Sequence, residues 1–221
     1  MKDSERRWYF YPYEEDAASH LRTRYSTSKA SEALLALDDI IVLAQEVLPD
    51  NACKEAEQLA KMLASTDRNK NAARDRLMQI VKPPPKRPLM YCQLEIPHLP
   101  YHTRDILRDL GDFIDMLVKS AAYEKTRKNS VFRSSLGLAI NQFAKCYPDQ
   151  EQLFDWLQRY NRFLYRDAKH DMKLPPGRKE HRFTSREVVL SIFVTMKLGE
   201  ILTKLSPMAA RVRSDKYMED E

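Results

Sequence analysis

Arg166 and His170 stand one helical turn apart in a cation-rich segment, and that pairing is the chemistry the chain offers most directly. On a helix, side chains at i and i+4 share a face with Cβ atoms roughly 6 Å apart, so both could reach one phosphate. With RNA bound, the His170 imidazole could take the proton from a ribose 2′-OH while the Arg166 guanidinium stabilises charge on the pentacoordinate phosphorus. The product would be a 2′,3′-cyclic phosphate, formed without a metal. The local charge suits such a ligand. Between Gln158 and Arg182 there are eight Lys or Arg against three Asp or Glu, an excess of +5 that equals the net charge of the whole chain. Within that window Arg159, Arg162, Lys169, Lys173, Arg178, Lys179 and Arg182 are the candidate nucleic-acid contacts.

Other chemistries are poorly represented. There is no Gly-rich phosphate loop, no GxSxG and no HExxH, and His98 and His102 straddle Pro100 and so do not share a helix face. Cys53, Cys92 and Cys146 are odd in number and widely spaced, which argues against a disulfide framework and against zinc, so no metal or cofactor is expected. No apolar run approaches the roughly 20 residues of a membrane span, and Met1 to Arg7 lacks the apolar core of a signal peptide. The expectation is a soluble, cytoplasmic protein that makes no membrane contact.

The elements that must position the Arg and His are helical. Only four Gly occur in 221 residues otherwise rich in Ala, Leu, Lys, Arg, Glu and Asp, which predicts an all-α helical bundle. Ser28 or Ser31 can cap a long apolar helix through Leu48, which Pro49 stops. Asp50-Asn51 open a helix with Ala52, Ala56, Leu59, Ala60 and Leu63 inward, and Asp67 can cap the next, which closes at Val81. Ahead of these, five aromatics in the six positions from Trp8 to Tyr13 suit a groove between helices, or stacking on bases beside Arg6 and Arg7.

Prolines 83, 84, 85, 88, 97 and 100 exclude helix, so residues 83–102 form a Pro-rich connector. They divide the chain into an N-terminal helical region (1–82), a C-terminal four-helix bundle (103–206) and a charged tail (207–221). Thr103 caps a helix to about Thr126, and Lys119, Lys125, Arg127, Lys128 and Arg133 surround the turn into a helix from about Ser130 to Cys146. On a helical wheel from Gln152 to Asp171, Leu153, Trp156, Leu157, Tyr160, Leu164 and Ala168 fall in one sector. Arg159, Arg162, Arg166, Lys169 and His170 fall opposite, with Asp155 among them. The final helix opens with Thr184-Ser185-Arg186-Glu187, a capping box, with Phe183 and Val188 placed as a hydrophobic staple. Its apolar residues wrap nearly all sides, which suits either a central core helix or a homodimer contact.

The run from Tyr160 through Arg162 to Arg166-Asp167-Ala168-Lys169-His170, followed by a loop and a long apolar helix, resembles the end of a HEPN (higher eukaryote and prokaryote nucleotide-binding) domain. The resemblance covers at most Thr103 to Leu205. The family motif is an Arg followed by a polar residue, with four to six residues before a His; here three residues separate Arg166 from His170 and seven separate Arg162 from it, so the spacing fits neither way. The resemblance implies a HEPN-like, dimeric bundle acting as a metal-independent ribonuclease in a toxin or antiviral setting, with Arg166 and His170 catalytic and RNA or other nucleic acid as partner. The competing reading is a non-catalytic helical adaptor that docks a protein partner on the same basic face.

Overall fold

A computed structural model describes residues 40–81, 103–167 and 183–212. Among them are eight α-helices and no strand: α1 (Ile40–Val47), α2 (Asp50–Leu63), α3 (Asp67–Val81), α4 (Thr103–Thr126), α5 (Leu136–Cys146), α6 (Glu151–Asp167), α7 (Ser185–Leu205) and α8 (Pro207–Val212). A 3-10 turn, Asn129–Arg133, lies between α4 and α5. The aromatic run from Trp8, the Ser28 and Ser31 caps, the Pro-rich connector and Cys92 lie outside the described residues.

The helix ends follow local chemistry. Pro49, at φ −68° and ψ 154°, both ends α1 and starts α2, since its extended backbone cannot continue the helix and its carbonyl accepts from the Ala52 and Cys53 amides. On α2, Ala56, Leu59, Ala60 and Leu63 are buried at helical spacing, as the sequence predicts. Asp67 sits in the first turn of α3 and is not its cap; the Thr66 carbonyl receives the Lys70 amide at 2.9 Å. At the start of α7 the capping box is present in both directions. The Thr184 hydroxyl accepts from the Glu187 amide at 3.2 Å, and the Glu187 carboxylate accepts from the Thr184 amide at 2.7 Å.

One predicted helix is divided. In place of a continuous helix from Ser130 to Cys146, the 3-10 turn closes at Arg133, and Ser134 and Ser135 are extended at ψ 160° and 159°. Both serines satisfy the backbone from their side chains: the Ser134 hydroxyl donates to the Val131 carbonyl at 2.6 Å, and the Ser135 hydroxyl accepts from the Leu138 amide. That competition with backbone pairing is why Ser favours caps over helix interiors.

The helices on both sides of the connector share one hydrophobic core. Helix α7 is its centre, packed against α1, α2 and α3 from before the connector and against α4 and α8 from after it. Val188 to Thr195 are all buried, and Gly199 lets α4 approach closely, with Phe113 Cε1 only 3.0 Å from where a Cβ would stand. Helices α1 and α2 cover sides of α7, so residues 103–206 pack their last long helix against elements from before the connector. Residues 207–212 form α8, whose Ala209 is fully buried. No helix among the described residues is long and apolar enough to cross a membrane.

Candidate nucleic-acid interface

Helix α6 carries the predicted basic face, and its surroundings differ from the helical-wheel expectation. Five consecutive residues, Leu157 to Asn161, are buried, which no two-sided helix allows. The cause is coverage from several directions: α5, α1 and α4 all pack against α6, and Tyr160 reaches α7, its hydroxyl 2.6 Å from that of Thr195. Gln158 spans to α5, its amide donating to Asn141 at 3.0 Å.

Arg159 is therefore corrected from a surface contact to an interior tie. Its side chain is 5% exposed, and its guanidinium donates to both oxygens of Glu46 on α1, at 2.6 and 3.0 Å, with Asp155 at 3.4 Å. A two-point contact of this kind fixes direction as well as distance. Glu46 is held below the usual carboxylate value by the hydrogen bond from Arg159, which outweighs its partial burial. Burial pulls the Arg159 pKa down, but the hydrogen bond to Glu46, together with the charges of Glu46 and Asp155, overrides it and leaves the guanidinium more firmly protonated. Arg162 is half-buried. The backbone of Arg166 belongs to the last turn of α6; its side chain, together with Lys169, His170, Lys173, Arg178, Lys179 and Arg182, lies outside the described residues.

The turn after α4 carries the other basic group. Lys119 leaves it: at 9% exposure it is paired to Asp115 at 2.7 Å within α4. Lys125, Arg127, Lys128 and Arg133 are exposed, as is Lys145 further on. From Lys125 to Pro148 these five cations meet no Asp or Glu, a run legible in the sequence by counting acids but eclipsed there by the 158–182 window. None of the five makes an ion pair among the described residues.

The carboxylate that precedes the run also ties the start of α8. Glu124 accepts from the Ser206 hydroxyl and, at 3.0 Å, from the Met208 amide, and so caps the start of α8. Burial pushes the Glu124 carboxyl up, but those two hydrogen bonds, with Lys125 and Arg127 nearby, outweigh it and hold it below its ordinary value. Arg127 takes the left-handed conformation, φ 54°, that ends α4, and its amide bonds the Tyr123 carbonyl at 2.7 Å. Its guanidinium lies over the Tyr123 ring, 6.0 Å from the centroid, and the Tyr123 and Phe132 rings are 5.2 Å apart. Lys125 lies over Tyr147 at 5.3 Å.

Elsewhere the chemistry is sparse. No cluster of His, Cys, Asp or Glu among the described residues could hold a metal ion. A groove of about 380 Å³ between α1, α2 and α7 is lined by Cys53, Lys54, Glu57, Lys61 and Leu190 among others; burial there pushes the Cys53 thiol up, away from reactivity. No family model, curated protein or solved structure matches the chain.

Proposed function

We propose that the protein binds nucleic acid through its basic segments, and that Arg166 and His170 give it HEPN-type, metal-independent RNA cleavage. The observation that carries the binding is the segregation of charge. The exposed cations from Lys125 to Lys145 form an acid-free run, while from Arg162 to Arg182 seven Lys or Arg accompany three Asp or Glu even after the interior Arg159 is set aside. Glu124, just before the first run, also accepts hydrogen bonds at the start of α8, and Asp115 pairs with Lys119. Cations clustered in excess over acids attract a polyanion and release its counterions on binding. The cleavage rests on residue chemistry and on the HEPN resemblance. In it Arg162, Lys169, Lys173, Arg178, Lys179 and Arg182 hold the phosphodiester backbone while Arg166 and His170 act on one phosphate.

The experiment is a titration of labelled RNA into the full chain at several salt concentrations, with cleavage followed in chelator. Reversing Lys169, Arg178 and Lys179 to Glu weakens binding and flattens its salt dependence. His170→Ala leaves the fold intact and abolishes cleavage, and Arg166→Ala costs on the order of 100-fold in rate. Wild-type protein that binds RNA without cutting it would remove the enzyme; wild-type protein that binds no RNA would remove the whole reading and leave a helical adaptor.

A further inference from the structure

Phe132 and Leu138 are the two large apolar side chains that stand exposed among the described residues, at 38% and 48%. Phe132 is placed there by a well-anchored turn. Val131 beside it is buried at 1% exposure, and the turn is closed by the Val131 amide on the Lys128 carbonyl and by the Ser134 amide and hydroxyl on the Val131 carbonyl. With Val131 inward, Phe132 and Arg133 are left outward. Beneath Phe132 lies the Tyr123 ring at a tilt of 47°, and over Tyr123 lies Arg127. Lys128 and Arg133 flank the ring in the chain, and both are exposed.

A planar apolar group presented on a rigid turn among exposed cations has the two parts that an unpaired strand needs. A π-face takes a base, and charges on either side take the phosphates that precede and follow it. In a duplex the base faces are already stacked on one another, so such a ring distinguishes single from double strands. We propose that the Phe132–Tyr123 ring pair is a stacking platform for single-stranded nucleic acid, with Arg127, Lys128 and Arg133 holding the backbone. This rests on the nucleic-acid-binding reading above and adds a strand preference and a site on the 3-10 turn, away from the Arg166–His170 segment in sequence.

The test measures binding of a labelled oligouridylate and of an RNA duplex of equal length to the full chain. Wild type binds the single strand more tightly; Phe132→Ala weakens that binding about tenfold, while Phe132→Trp, which keeps a π-face, retains it. Lys128→Glu combined with Arg133→Glu weakens binding and lowers its salt dependence, and Leu138→Ala changes neither. Phe132→Ala binding the single strand as wild type does, or wild type binding duplex and single strand equally, overturns the platform and leaves nucleic-acid binding standing. Failure of wild type to bind either RNA overturns both. Loss of binding to polyglutamate in Phe132→Ala, with RNA binding kept, overturns the platform in favour of an acidic protein partner. Circular dichroism of each variant shows that the fold is retained.

Discussion

The tie between Arg159 and Glu46 joins α1 to α6 across 113 residues of chain, and its two ends are unequally wet, at 5% and 42% side-chain exposure. The asymmetry predicts an order of stability. In Glu46→Ala the guanidinium loses its two-point partner and keeps Asp155 at 3.4 Å, and a buried charge that has lost its main partner is expensive. The expected loss is about 2 to 3 kcal/mol, or about 5 to 10 °C in melting temperature for a chain of this size. In Arg159→Met the apolar stem is kept and the remaining Glu46 rehydrates, so the loss is about 1 kcal/mol. The pH dependence carries a sign. Glu46 has a folded pKa below its ordinary value near 4.5, so its contribution is complete above that value and is lost as pH falls through the folded value. Wild type and Glu46→Ala therefore converge in acid. Urea melts at neutral and acid pH measure both effects, and RNA titration of Arg159→Met should give the wild-type salt slope. An Arg159→Met protein less stable than Glu46→Ala, or one with wild-type stability and a shallower salt slope, would refute the interior role.

Three further outcomes are expected. Thr184→Ala loses half of the α7 capping box and should lower stability by about 1 kcal/mol; a thermal melt that coincides with wild type would mean that α7 does not depend on this cap. Gly199→Ala should destabilise by roughly 1 to 3 kcal/mol despite the better helix propensity of Ala, because the new methyl meets the 2%-exposed Phe113 ring at 3.0 Å. A rise in denaturation midpoint would show that α4 and α7 can separate freely. Arg127→Gly should raise stability by about 1 kcal/mol, since φ 54° strains any residue with a Cβ, less whatever the contact with Tyr123 contributes. A lower midpoint would show that the contact outweighs the strain.

Local chemistry made much of the fold legible. Pro49, Thr184 with Glu187, and the scarcity of glycine place the ends of α2 and α7 and the all-α class without any tertiary information, because caps and breakers act within one turn of chain. The division of the helix expected from Ser130 to Cys146 is legible in the Ser134-Ser135 pair, whose side chains favour caps over helix interiors. The Arg166–His170 spacing and the charge excess from 158 to 182 are properties of the sequence alone, as is the acid-free run from 125 to 148. What only the tertiary structure decided is which polar residues stay on the surface. A helical wheel gives an angle about one axis; it does not say that α1 will lay Glu46 over Arg159. Nor does it say that α7, equally suited to a core or to a dimer contact, will be enclosed by helices from both sides of the connector. Those outcomes depend on partners far apart in the chain, and burial is a property of the assembled neighbours.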